Sequence, residues 1–233
     1  MNTSPIFNPM SVRKNYTPTE GYTEIVKPGE MGITKLHFGI LTLTPHSTFF
    51  DHTDDTEVAL VALSGHCILS VGHNGNKAYG VLGDRPDVFQ DEACVAHIPH
   101  HTTYEMLTEE GGIEVAVCKV ESHSESAAVI LDAGETAAEH ETHLRIWEKV
   151  LSDDSDVNTG STHETPTEGE AICLYRSRDA DAVVLDITRT VDGKKTARVQ
   201  MYNNDVLMLA EHDSIVSVTP KGVGYQLWVQ PGL

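Results

Sequence analysis

The chain has 233 residues, with 35 Asp and Glu against 16 Lys and Arg and a formal net charge of −19. No basic run is longer than Lys194-Lys195, so nucleic acid and anionic membrane surfaces are not expected partners. No segment approaches the ~20 apolar residues of a membrane span, and residues 1–9 lack the basic start and apolar stretch of a secretory signal, so the expected location is the cytoplasm.

Taken in order, short runs rich in β-branched residues occur at 35–43, 57–63, 67–71, 94–99 and 113–120. After a polar gap the same style resumes at 171–175, 182–188, 197–202, 206–210, 215–219 and 225–229. Many short strands at regular spacing predict an all-β sandwich or barrel. Asn74-Gly75 and Asp192-Gly193 sit between such runs, where hairpins need residues that tolerate positive φ. Residues 135–151 carry Leu144, Trp147 and Leu151 at helical spacing, but Leu144 and Ile146 also alternate, and a linker running into a strand is the preferred reading. Residues 152–169 are polar and predict a surface loop. Cys67, Cys94, Cys118 and Cys173 form no Cys-x-x-Cys pair and read as reduced core thiols. Trp147 and Trp228 read as core, and Arg85 as a turn residue paired to an Asp.

Two stretches stand out. Phe50-Asp51-His52-Thr53-Asp54-Asp55-Thr56-Glu57 and His163-Glu164-Thr165-Pro166-Thr167-Glu168-Gly169-Glu170 both approximate His-x-His-x-x-x-x-Glu. On a strand, positions i and i+2 share a face, so this spacing can aim two imidazoles and a carboxylate at one divalent ion. The first copy keeps His52 and Glu57, and the second keeps His163 and Glu170. Each Glu opens a strand-like run, 57–63 and 170–176, and residues 91–99 match 213–220 as an acidic turn followed by a strand ending at Pro. An internal duplication accounts for these matches. In the first half the strand ending at Pro99 adds His97, His100 and His101 as donors, and His46 is a further candidate; its expected counterpart, 217–224, has no His. The chain is therefore expected to form two tandem cupin barrels, double-stranded β-helices of the jelly-roll type, over residues 1–125 and 161–233, joined by 126–160.

At these residues the chain resembles the 5-deoxy-glucuronate isomerase family and its relative 5-keto-4-deoxyuronate isomerase. The likeness is carried by Glu57 to Gly65, by Leu82-Gly83-Asp84-Arg85-Pro86-Asp87-Val88-Phe89, by His97-Ile98-Pro99, by His163 to Tyr175 and by Pro220-Lys221-Gly222-Val223-Gly224. The resemblance implies a metal-dependent isomerase of inositol or uronate catabolism that interconverts aldose-like and ketose-like sugar acids, with a divalent metal, zinc in type, in the C-terminal barrel. Of the ligands it implies, His163 and Glu170 are present, whereas Thr165 and Pro220 stand where the family has His. Glu164 and Glu168 offer oxygen donors that would suit a harder ion. His52, Glu57 and His101 form the alternative site in the N-terminal barrel, Arg176 is a candidate for an anionic substrate, and no catalytic residue is assigned. The competing expectation is a non-catalytic cupin that binds a carbohydrate acid or a protein partner. Homo-oligomerisation is expected in either case, because barrels present edges and flat faces that association covers.

Overall fold

The computed structural model describes residues 12–73, 76–124, 126–133, 142–151, 169–178, 183–189, 195–219 and 222–232. Its strands, in chain order, are β1 (Arg13–Asn15), β2 (Gly21–Val26), β3 (Leu36–Leu43), β4 (Thr48–His52), β5 (Thr56–His73), β6 (Asn76–Arg85), β7 (Val95–Ile98), β8 (Thr103–Leu107), β9 (Ile113–Glu121), β10 (Val129–Leu131), β11 (Leu144–Leu151), β12 (Ala171–Ser177), β13 (Val183–Arg189), β14 (Lys195–Met201), β15 (Asp205–Leu209), β16 (Asp213–Thr219) and β17 (Gly224–Pro231). The architecture is all-β, and no α-helix occurs among the described residues. Residues 144–151 form a strand, as the alternation of Leu144 and Ile146 suggests.

The chain divides into two compact units that interleave in sequence. One comprises Pro18–Lys27, Lys35–Arg145 and Pro231–Leu233, and the other comprises Met1–Thr17, Pro28–Thr34 and Ile146–Gln230. We call them the β5 unit and the β12 unit after their central strands. In the β5 unit, β5 pairs with β7 and β9 along its first half and with β6 and β8 along its second. Its core faces inward from these strands as Val58, Leu60, Ala62, Leu69, Val115 and Val117, with Leu41, Tyr104 and Met106. In the β12 unit, β12 lies between β15 and β17, and β13 between β14 and β16. Its core contains Ala171, Cys173, Tyr175, Leu207, Leu209 and Trp228, with Trp147 stacked on Trp228 at 6.3 Å between ring centroids.

The pairings bear on the duplication. Glu57 and Glu170 do hold equivalent places, each just ahead of the central run of its unit. The other match is corrected. β7 flanks β5 as β15 flanks β12, so residues 95–98 correspond to the β15 strand, while β16 pairs with β13 as β8 pairs with the second half of β5. Similar acidic turns and terminal prolines had aligned two strands that occupy different places in the sheets.

Cys67, Cys118 and Cys173 are buried free thiols. Burial raises all three above the usual thiol range, Cys67 to about 12. The buried Arg85 donates from Nε to Ala62 O at 2.9 Å and from Nη1 to Asp91 O at 3.3 Å, which ties the 86–91 turn to β5.

Candidate functional site

Side chains alternate across a strand, so one residue of register decides which way a carboxylate points. Val58, Leu60 and Ala62 face the core of the β5 unit, which places Glu57 with Ala59 and Val61 on the opposite face. Glu57 is 2% exposed and is met there by His143 and by His97, the second of which the sequence offered as a donor. The His143 amide donates to Oε1 at 3.0 Å and to Oε2 at 3.1 Å, and His143 Nδ1 lies 3.1 Å from Oε2. His97, paired with Ala59 on β7, brings Nδ1 to 3.8 Å from Oε1. Burial alone would raise the Glu57 carboxyl, but His97 and the amide and ring of His143 outweigh it and hold the group below its ordinary value of 4.5.

The other expected donors of this half lie elsewhere. His52 ends β4, where its Nδ1 accepts the Asp54 amide at 3.0 Å. His101, in the left-handed region at φ 52°, places Nε2 3.4 Å from Asp55 Oδ1. The His52 and His101 rings are 6.5 Å apart, near an exposed turn. His46 is likewise a turn residue, at φ 58°. Of the expected set His52, Glu57 and His101, the carboxylate faces away from the core of the β5 unit, and the two imidazoles lie beside neighbouring aspartates. Among the described residues no group of three or more His, Cys, Asp or Glu is placed to hold a metal ion.

Glu170 sits in the analogous place in the β12 unit. Ala171, Cys173 and Tyr175 face the core, so Glu170 lies on the other face, 5% exposed. Its Oε2 accepts the Thr34 amide at 2.7 Å and the Thr34 hydroxyl at 2.8 Å. Arg176 stacks its guanidinium over the Tyr16 ring at 5.4 Å and donates to the Tyr16 hydroxyl. His163, Glu164, Thr165, Glu168 and Pro220 lie outside the described residues.

A different set of polar groups does face the interior of the β5 unit. Val115 and Val117 are core residues of β9, and Lys119, two further along, continues their face. Its Nζ lies 3.3 Å from Asp51 Oδ2, and Tyr104, also inward-facing, donates its hydroxyl to the same oxygen at 3.0 Å. The Tyr22 ring lies beside the ammonium, with its centroid 5.6 Å from Nζ. That ring packs against Gly39, where a Cβ would come within 2.5 Å of Tyr22 Cε2. Burial, reinforced by the Asp51 charge, raises the Tyr104 phenol well above its ordinary value, and burial with the Glu24 charge does the same for Tyr22. Both phenols therefore stay protonated donors at neutral pH. The sequence motif missed Lys119 and Tyr104 because neither is a metal-type donor, and only strand pairing brings them to Asp51.

The family model described as the KduI/IolB family matches residues 11–145, more than half of the chain. The chain belongs to the KduI/IolB family. That family takes in 5-keto-4-deoxyuronate isomerase and 5-deoxy-glucuronate isomerase, so the sequence resemblance is borne out. Among solved structures, an IolB-like protein from Salmonella typhimurium superposes with a TM-score of 0.70 at 20% identity, covering 95% of this chain and 92% of its own. An oxalate decarboxylase from Lactobacillus farciminis gives a TM-score of 0.65 at 10% identity over 99% of this chain and 88% of its own. Bacillus subtilis oxalate decarboxylase, described with Mn(II) centres, gives 0.56 at 11% identity over 95% and 77%. These likenesses show the cupin-type fold. No curated protein matches the sequence significantly.

Each half-motif carboxylate has partners within its own unit. Glu57 is taken up by His143, and Glu170 already accepts two hydrogen bonds from Thr34 on one oxygen.

Proposed function

We propose that this KduI/IolB-family chain is a sugar-acid isomerase of the 5-deoxy-glucuronate type, working in inositol or uronate catabolism. The family match over residues 11–145 supports this reading. The reaction would move a proton between adjacent carbons while carbonyl and hydroxyl exchange places, which needs a base and a group that steadies the developing oxyanion. In the C-terminal half the donors to test are His163 and Glu170, with a divalent metal, zinc by expectation. Arg176, held against Tyr16, is the candidate for the substrate carboxylate on that side.

The experiment is turnover of 5-deoxy-glucuronate and of 5-keto-4-deoxyuronate by the purified chain, with metal content measured on the same preparation. Turnover of either sugar acid, abolished by His163→Ala together with loss of bound metal, is the expected result. Absence of turnover with both substrates, with zinc or manganese supplied, would overturn the isomerase reading. A second reading, a non-catalytic cupin that binds a carbohydrate acid, is favoured by one observation: the buried carboxylates of both half-motifs are satisfied within the fold.

We also propose a cytoplasmic homo-oligomer. Among the described residues no helix is long and apolar enough to cross a membrane. Phe50, Ile68, Tyr79, Val81 and Leu107 are exposed, and the pairings of β4, β8, β5 and β6 put them on one sheet face that a second copy could cover. Light scattering should give a multiple of 25.5 kDa, reduced by Tyr79→Glu with Val81→Glu; a wild-type monomer would refute this.

A further inference from the structure

We propose that the β12 unit holds a binding site for a small uncharged ring compound with a carbonyl oxygen, received by the Gln226 amide and the Ser177 hydroxyl at the end of β12. The site lies on the strand face opposite Glu170, and the proposal holds whether or not the chain isomerises a sugar acid.

Gln226 faces the core of the β12 unit. It pairs with Tyr175 across to β12 and stands two residues before Trp228, both of them core side chains, and it is itself 0% exposed. Trp228 donates its Nε1–H to Gln226 Oε1 at 3.1 Å. An indole can only donate, so this bond fixes which end of the amide is oxygen and leaves Nε2 for another partner. Nε2 is buried and finds no hydrogen-bond partner among the described residues. Ser177, two residues beyond Tyr175 on the same face, has a buried hydroxyl that likewise finds none among them. Buried donors are nearly always paired, and an orphaned one costs stability, so two on one face point to an occupant that supplies the missing acceptor.

The neighbouring side chains restrict that occupant. Gln226 pairs with Tyr175 and Gly224 with Ser177, so Gln226 and Ser177 are diagonal neighbours, about 7–8 Å apart and within the span of one small molecule. A Cβ on Gly224 would come 2.6 Å from the Tyr175 hydroxyl, so the phenol reaches over Gly224 to the Ser177 end of the pair. Tyr175 and Trp228, with Trp147 stacked on Trp228 at 6.3 Å, give the same face an aromatic wall that suits a cyclic apolar body. A carbonyl oxygen has two lone pairs and can accept from both donors at once. An anion is disfavoured. Asp205 lies beside Tyr175 on its other flank and is paired with Arg13 at 3.2 Å, while Arg176 belongs to the opposite face, over Tyr16.

Both tryptophans of the chain, Trp147 and Trp228, are in this wall, so intrinsic fluorescence reports on this site alone. Titration of the full chain with cyclohexanone, and with cyclohexanecarboxylate as the charged comparison, tests the proposal. Cyclohexanone is expected to change the emission saturably, with a half-effect below about 10 mM, and the carboxylate to bind about tenfold more weakly. By isothermal titration Gln226→Met should lose about five- to tenfold in cyclohexanone affinity and Ser177→Ala about threefold. Crystals of the unaltered chain grown with cyclohexanone should place its oxygen within hydrogen-bond distance of Gln226 Nε2, which decides the matter even where a variant does not fold. Linear quenching without saturation, equal binding of the carboxylate, undiminished affinity in a folded Gln226→Met, or an ordered water alone at Nε2 in those crystals would each overturn the proposal.

Discussion

Glu57, read from the sequence as a carboxylate donor beside His52, His97 and His101, lies against His143 and His97 in the fold. Its buried carboxylate accepts the His143 amide and lies against two imidazoles, so replacing it with Gln removes charge-assisted bonds without removing bulk. We expect Glu57→Gln to lower unfolding free energy by about 2 kcal/mol at pH 7, measured by denaturant titration. Because the folded carboxyl titrates below its ordinary value of 4.5, this contribution is full above that value and is lost as pH falls through the lower folded one. The stability gap between wild type and Glu57→Gln should therefore close in acid; a gap independent of pH would refute the assignment. The importance of Glu57 was legible in its place before an apolar run. Its direction was not, because a shift of one residue exchanges the two faces of a strand while the motif reads the same.

At the scale of elements, β5 carries the most structure. This strand of 18 residues serves β7 and β9 and then β6 and β8, with register shifts between Ala62 and Ser64 and between Gly65 and His66. Gly65 makes that passage possible. It has φ 74°, and a Cβ there would lie 2.0 Å from Gly112 O. Gly65→Ala combines left-handed strain with a backbone clash and should cost about 3 kcal/mol, read as a fall in Tm; an unchanged Tm would contradict this account of the turn. The strands themselves were legible, from β-branched runs and turn residues. The partners of each strand were not. Residues 91–99 and 213–220 look alike, yet β7 and β16 occupy different places, since sheet order depends on long-range closure that local composition does not encode.

At the scale of the molecule, the units interleave. β1 pairs with β15 through Arg13↔Leu207, Lys14↔Val206 and Asn15↔Asp205, and Val12 and Tyr16 are buried beside it. The start of the chain thus completes the unit built mainly from its end. Deleting residues 1–17 should expose the edge of β15, lower the Tm and promote association on heating; a truncated chain as stable and as soluble as the full one would count against a structural role for β1.

By itself the sequence determined the all-β class, the KduI/IolB likeness and the equivalent places of the two glutamates ahead of their central strands, because strand periodicity, turn chemistry and short motifs are local properties. Only the tertiary structure decided that Glu57 and Glu170 turn away from their cores, and that His143 and Thr34 hold them. It also decided that Asp51, Tyr104 and Lys119 meet inside the β5 unit. Those residues are 136, 53, 68 and 86 positions apart in their pairs, and only cross-strand registry brings them within bonding distance.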